Sequence, residues 1–311
     1  MKKVLVTGGA GFIGSHIVDR LVFENYEVVV IDDFSSGRIE NLKSSINKIK
    51  LIKGDIRNDK LIKRLLKRTD YVLHQAALRS VPKSVKYPLR YNEVNVTATL
   101  NLLKRSAEAG VKRFVFASSS SVYGESSKPK QKETDLPLLI SPYAATKLAG
   151  EYYCRVFSKI YSLQTVSLRY FNVFGPRQSL ESQYAVVVPK FIACLLKAER
   201  PPIHGTGKQS RDFTYIDNVV EANILAMKRK GVSGCVFNIA CGKTQSVNTL
   251  FSQIKTILNS KVNPIFTELR AGDVARTCAD ISQAQRLLRF KVGVEFNDGL
   301  KRAIKWFQEK K

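Results

Sequence analysis

Tyr143 and Lys147 stand four residues apart in Tyr143-Ala144-Ala145-Thr146-Lys147. Just before them, Ser141 can cap a helix and Pro142 suits its first position. Both side chains are therefore expected on one helical face. A free phenol titrates near pH ~10 and is a poor base at neutral pH. A nearby cation favours the phenolate, and lowering the pKa by ~3 units corresponds to about 4 kcal/mol of differential stabilisation. The pair suits removal of a proton from a substrate.

A second group of residues suits a phosphate ligand. Gly8-Gly9-Ala10-Gly11-Phe12-Ile13-Gly14 lies between an apolar strand and a helical pattern. Glycines there let the backbone approach a pyrophosphate, and a helix N-terminus adds free N–H groups and the positive end of a dipole. Asp32 follows Gly14 by 18 residues, at the end of the next strand pattern. A carboxylate at that place accepts hydrogen bonds from adenosine ribose hydroxyls and repels a 2′-phosphate, which favours NAD over NADP. Asp55, after the third strand, is the next expected contact, at the adenine. A third motif, Ser118-Ser119-Ser120-Ser121-Val122-Tyr123-Gly124, follows an apolar strand ending at Ala117 and offers hydroxyls at the same crevice.

Positioning these groups requires alternating strands and helices. Strands are expected at Lys3–Thr7, Glu27–Ile31, Lys50–Lys53, Tyr71–Leu73, Phe114–Ala117 and Gln164–Leu168. Helices are expected through about Leu21, over Asp59–Arg68 and, as one long element, over Leu89–Ala109. Short apolar runs separated by helices mean a parallel sheet with right-handed crossovers, a doubly wound α/β fold. After about Phe171 the rhythm loosens and Pro and Gly become frequent. Helices remain legible near Val186–Ala198, Ile216–Lys228, Val247–Leu258, Ile281–Leu288 and Asp298–Gln308. Residues 1–170, with a returning segment near 211–240, are expected to form the dinucleotide-binding Rossmann domain. Residues 171–311 are expected to form mainly a smaller α/β substrate domain over the carboxyl ends of the strands.

Composition narrows the class. The 311 residues are 44% hydrophobic and 25% charged, enough apolar material for a core and unlike a disordered chain. No apolar run approaches the roughly 20 residues of a spanning helix, and the opening Val4-Leu5-Val6 is too short for a signal peptide. A cytoplasmic protein with no membrane partner is expected. Cys154, Cys194, Cys235, Cys241 and Cys278 show no Cys-x-x-Cys pair, and His16, His74 and His204 share no helical spacing, so neither a disulfide frame nor a metal site is supported. The net charge of +25 attracts anions, but its Lys and Arg residues are spread out and no nucleic-acid-binding signature accompanies them. No nucleic-acid partner is expected.

Together these motifs resemble an extended short-chain dehydrogenase/reductase, and within that superfamily the nucleotide-sugar 4-epimerases, over essentially the whole chain. Val6–His16, Asp32-Asp33-Phe34-Ser35, His74-Gln75-Ala76-Ala77, Leu168–Val173 and Arg211-Asp212-Phe213 all fit. Ser80-Val81-Pro82-Lys83-Ser84, Tyr184–Lys190 and Ser210–Phe213 are similar to the branch acting on UDP-N-acetylglucosamine. The resemblance implies catalysis by Ser119, Tyr143 and Lys147. It implies NAD contacts at Gly8, Gly11, Phe12, Ile13, Gly14, Asp32, Asp33, Asp55, Ile56, Ala76, Ala77, Asn95, Tyr143, Lys147 and Tyr170. It implies UDP-sugar contacts at Ser80, Ser119, Tyr143, Asn172, Val187, Arg211, Arg270 and Asp273, with Thr277 as the gate that sets the size of the sugar pocket. Arg211 and Arg270 suit a diphosphate, which takes bidentate guanidinium donors. Arg79 departs from the family pattern.

Dehydratases and decarboxylases of the superfamily place acids after the hydroxyl residue, whereas this chain has Ser120 and Ser121. The implied reaction is thus 4-epimerisation of a UDP-hexose: the N-acetylglucosamine/N-acetylgalactosamine pair first, glucose/galactose also. UDP-glucuronate 4-epimerase or decarboxylase are the alternatives within the scaffold, and an NAD-sensing or basic nucleic-acid-binding protein the alternative outside enzymes. Family members are usually homodimers through helices that here include Leu89–Ala109 and Tyr143–Ser162.

Overall fold

The computed structural model describes residues 1–179, 187–268 and 274–310. Six strands come first: Lys3–Thr7 (β1), Glu27–Asp32 (β2), Ile49–Lys53 (β3), Tyr71–His74 (β4), Arg113–Ser119 (β5) and Thr165–Tyr170 (β6). The short strands Val173–Phe174 (β7), Pro202–His204 (β8), Ser210–Arg211 (β9) and Thr214–Tyr215 (β10) follow. Cys235–Ile239 (β11) then precedes Gln245–Ser246 (β12), Ile265–Thr267 (β13) and Arg276–Thr277 (β14). The helices are Phe12–Phe23 (α1), Asp59–Leu66 (α2), Val81–Lys86 (α3), Pro88–Asn92 (α4), Ala98–Glu108 (α5), Pro142–Ile160 (α6), Val187–Leu196 (α7), Ile216–Lys228 (α8), Val247–Ile257 (α9) and Phe296–Glu309 (α10).

Seven strands form one sheet in the order β11-β6-β5-β4-β1-β2-β3, with every pairing parallel. Side chains alternate across it. Val4, Val6, Val28 and Val30 join a core with residues of α1, α7, α8, α9 and α10, while Leu5, Val29 and Ile31 join another with residues of α2, α5 and α6. Burial on both faces explains why these strands read as continuous apolar runs. The chain winds outward from β1 to β3 and then crosses to β4 on the other side of β1. That reversal opens a crevice at the carboxyl ends of β1 and β4.

Downstream of β6 the chain leaves the sheet, comes back through α8, which packs on α1, β5 and β6, and adds β11 at the edge. β12, β9 and β14 make a separate three-stranded sheet.

The structure redraws several expected elements. The single helix over Leu89–Ala109 is α4 and α5 joined by a π-helical turn at Glu93–Thr97. That wide turn carries Asn95, and such turns often occur at functional sites. The expected helix Ile281–Leu288 is mostly a π-helical turn, Ala284–Leu288, whose exit residue Arg289 is left-handed at φ 61°. β5 runs two residues past Ala117, because Ser118 and Ser119 pair with Arg169 and Tyr170 of β6. Among the described residues, no helix is long and apolar enough to cross a membrane.

Candidate active site

The turn after β1 is shaped by two glycines. Gly8 has φ +66°, and a Cβ there would stand 2.7 Å from the Ala76 nitrogen. A Cβ on Gly14 would stand 2.2 Å from the Gly8 carbonyl oxygen, so the first turn of α1 lies directly on the loop. Gly11 caps α1 without any side-chain bond, and no acid occupies the first helical turn. The first N–H groups of a helix have no intrahelical acceptor. Here they face a cleft of about 660 Å³ whose wall includes Gly8, Gly11, Phe12, Ile13 and Gly14. This uncapped, glycine-lined helix start fits a dinucleotide's pyrophosphate.

Carboxylates collect at one end of the same cleft. Asp32 accepts from the backbone N–H groups of Ala10 and Phe34, both at 2.9 Å, and burial raises its pKa above the ordinary carboxylate value. Asp33 accepts from Ser35 N and Oγ. Asp55 is held low by its hydrogen bonds from the Arg57 guanidinium, and Ile56 lies beside it in the wall. Ala76 and Ala77 line the middle. Asn95 sits behind them: it accepts from Leu78 N, and donates to Leu78 O and to Thr146 Oγ1, clamping the loop after β4 onto α6. Tyr170 closes the floor, bonded to Asn223 and Gln75. Burial pushes its phenol up to about 12.

At the other end stand Tyr143 and Lys147. Ser141 caps α6 by accepting from Ala144 N at 3.2 Å, and Pro142 takes the first position. Lys147 Nζ lies 5.9 Å from the Tyr143 ring centroid and donates to the Ala117 carbonyl at 2.8 Å. Burial lowers the ammonium to about 8, opposed by Glu151. The Tyr143 phenol is raised by burial; its hydrogen bond with Ser119 and the positive charge of Arg79 pull it back. Two cations thus act near Tyr143, Lys147 over its ring and Arg79. Lys147 is engaged with the Ala117 carbonyl. Ser119 itself accepts from Ser121 N at 3.1 Å, at the start of the turn Ser120–Tyr123.

The other described substrate residues are not in the cleft wall, and of these Asn172, Arg211 and Thr277 are brought together. Asn172, strained at φ +33°, donates to the Asp212 carbonyl and to Thr277 Oγ1, each at 3.1 Å. Thr277 on β14 is paired with Arg211 on β9. Val187 opens α7. Ser80 caps α3, its Oγ accepting from Lys83 N at 3.3 Å, and its N–H donates to Tyr91. Arg270 and Asp273 lie outside the described residues, as does Tyr184. Sequence reasoning missed Arg177, Trp306 and Phe307, which also line the cleft. No local motif marks them; α10 comes from the far end of the chain on an amphipathic face. No metal-binding group of His, Cys, Asp or Glu occurs among the described residues.

The chain is similar to proteins of one family whose members differ in reaction and sugar. Residues 4–240 match the model of the NAD dependent epimerase/dehydratase family. A UDP-N-acetylglucosamine 4-epimerase from Methanobrevibacter ruminantium, solved with UDP-N-acetylmuramic acid, is 43% identical with a TM-score of 0.96, covering 100% of this chain and 99% of that one. The UDP-glucose 4-epimerase of Thermotoga maritima, solved with UDP-glucose, is 39% identical with a TM-score of 0.95 and 99% coverage of both chains. A UDP-glucuronic acid 4-epimerase from Bacillus cereus, solved with a substrate analogue and NAD, is 34% identical with a TM-score of 0.92, covering 99% and 100%.

Proposed function

Because this chain belongs to the NAD dependent epimerase/dehydratase family, we propose that it is a UDP-sugar 4-epimerase. The reading includes UDP-N-acetylglucosamine/UDP-N-acetylgalactosamine as the preferred pair and UDP-glucose/UDP-galactose as a second. One observation carries the choice of reaction. Ser119, Tyr143 and Lys147 are gathered at the end of β5 and the start of α6, and the turn that follows Ser119 offers Ser120 and Ser121 where elimination chemistry needs acids.

Bound NAD supplies reversible removal of hydrogen from C4 of the sugar. The protein's own residues handle the proton and the geometry. Tyr143 takes the proton of the 4-hydroxyl, and Ser119 hydrogen-bonds the same oxygen and relays it. Lys147, seated on the Ala117 carbonyl, keeps positive charge beside the phenolate. The uncapped start of α1, with Asp32, holds the cofactor at the opposite end. Arg211 and Arg270 grip the substrate diphosphate, so binding energy remote from C4 retains the 4-keto sugar while it turns over. Thr277 is a small side chain, which leaves room for the 2-acetamido group.

The same reading makes the protein a cytoplasmic homodimer. Exposed apolar side chains on three helices support the pairing: Val85 on α3, Leu89 on α4, and Tyr152, Val156 and Ile160 on α6.

The test is incubation of the purified protein with UDP-N-acetylglucosamine, UDP-glucose and UDP-glucuronate in turn, without added reductant, followed by separation of products. The 4-epimer of the first, and more slowly of the second, is expected. A 4-keto-6-deoxy sugar or a pentose as the main product overturns the assignment.

A further inference from the structure

Helix α6 carries a third ionisable side chain in line with Tyr143 and Lys147. Glu151 lies one turn beyond Lys147 and is 4% exposed. The end of β5 meets this helix face with three consecutive residues. Ser119 lies close enough to the Tyr143 phenol to lower its pKa, the Ala117 carbonyl accepts from Lys147, and Ser118 Oγ donates to Glu151 Oε1. Arg169, the β6 partner of Ser118, grips the same carboxylate in a fork, Nε to Oε1 at 2.9 Å and Nη2 to Oε2 at 2.7 Å. The Arg169 guanidinium also lies 4.7 Å over the Tyr123 ring, and Tyr123 donates to Asn238 on β11 at 2.6 Å. The carboxylate is thus fixed from two strands and has no freedom to act as an acid or base itself.

Stability alone is a poor reason for this arrangement. A buried ion pair is often matched or bettered by apolar side chains of the same volume. Its charge has a further effect, on Lys147. Burial drives the Lys147 ammonium toward neutrality, and Glu151 opposes it. The other titratable groups facing Lys147 are Tyr143 on the same helix and His74 on β4. Burial pushes His74 down to about 3, and it is bonded to Thr7 and Thr99, so it is neutral at physiological pH. Tyr143 as the neutral phenol and His74 supply no negative charge, so in that state Glu151 alone of the three does.

We propose that Glu151 is a positioning residue of the epimerase reaction, its clamped carboxylate keeping Lys147 cationic and seated on Ala117 beside Tyr143. This rests on the functional reading above. Its consequence is specific: without the carboxylate, Lys147 loses its proton at a lower pH, and turnover is lost with it.

The test compares NAD-loaded wild type, Glu151→Gln and the double variant Glu151→Gln/Arg169→Gln. The double variant is included because the single change leaves Arg169 buried and unpaired. In Glu151→Gln the alkaline limb of the kcat profile is expected to move down by about one pH unit, the size of an opposite-charge effect at close range, and in the double variant, which also loses the positive charge of Arg169, by less, with KM little changed. The midpoint of Lys147, read by NMR on 13Cε-lysine-labelled protein and assigned by its loss in Lys147→Met, should move by the same amount. That second readout does not depend on turnover, so it separates failure of this inference from failure of the epimerase reading. A folded Glu151→Gln variant whose Lys147 midpoint and alkaline limb coincide with wild type overturns the proposal, as does a double variant in which either moves upward.

Discussion

Gly14→Ala and Gly11→Ala should separate folding from cofactor binding within a single turn. A Cβ on Gly14 meets the Gly8 carbonyl oxygen at 2.2 Å and the Gly9 Cα at 2.8 Å. Both obstacles are backbone. Gly8 cannot retreat, because its N–H donates to Ile31 O at 2.8 Å and its α-carbon faces Ala76. Overpacking costs typically ~1–3 kcal/mol, and an immovable obstacle puts Gly14→Ala at the upper end. At about 2–4 °C per kcal/mol for a chain of this order of size, the apo protein should melt roughly 6–12 °C lower. A Cβ on Gly11 meets only the Gly8 carbonyl oxygen, at 3.2 Å, and the φ of −73° suits alanine. Its Tm should therefore stay within about 2–4 °C of wild type, a loss of at most ~1 kcal/mol. Gly11 nevertheless lines the cleft where a pyrophosphate must approach the backbone. NAD affinity should fall at least about tenfold, or ~1.4 kcal/mol. Thermal unfolding of the stripped proteins and calorimetric titration with NAD measure the two effects. An unchanged Tm for Gly14→Ala, or wild-type NAD affinity for Gly11→Ala, refutes the reasoning about this turn.

Tyr143→Phe should retain NAD and UDP-sugar binding while kcat falls by about two to four orders of magnitude, the usual worth of a positioned acid–base group; near-wild-type turnover removes Tyr143 from the mechanism. Thr277→Tyr introduces a ring and removes the acceptor of the Asn172 bond. It should lower kcat/KM for UDP-N-acetylglucosamine at least about tenfold relative to UDP-galactose, and an unchanged ratio means Thr277 is not the gate. His74 is buried neutral, its pKa pushed from 6.5 down to about 3. Its contribution to stability is therefore present above pH 6.5 and lost as pH falls toward about 3, because the unfolded chain binds a proton that the native one does not. Asp212, raised by burial to about 6, works in the opposite sense over part of that range. Denaturant unfolding of His74→Asn at several pH values should show the acid-side slope reduced by roughly 1.4 kcal/mol per pH unit; an identical slope contradicts the assignment.

Much of the central sheet was legible because strands such as β2 are buried on both faces and read as unbroken apolar runs, as in Val28-Val29-Val30-Ile31, whereas β11, partly exposed at the sheet edge and interrupted by Asn238, was not read as a strand. The start of α6 was legible because Ser141 and Pro142 are local signals whose effect does not depend on the rest of the chain. The π-helical turn at Glu93–Thr97 was not: nothing in Glu93-Val94-Asn95-Val96-Thr97 departs from ordinary helical periodicity, and the wide turn goes with Asn95 clamping the loop at Leu78 from a distance. The glycine turn and Asp32 could be read from spacing, since both lie on consecutive strand ends. Glu151 could not be distinguished from a surface carboxylate on a helix, because its meaning comes from Arg169 across the sheet. Trp306 and Phe307 show the same limit, reaching the cleft only through packing of the last helix. The influence of Arg79 on Tyr143 was also hidden, since it acts from the loop after β4, far from Tyr143 in the sequence.

The central claim is that the configuration at C4 is inverted by removal and return of the same hydrogen within one pocket. UDP-N-acetylglucosamine carrying deuterium at C4, incubated with the purified protein in ordinary water, tests it most directly. Mass spectrometry and proton NMR of the UDP-N-acetylgalactosamine formed should show the deuterium retained at C4, with no NADH accumulating. Product that has exchanged its C4 deuterium for solvent hydrogen, or that has lost water or carbon dioxide, would contradict the account.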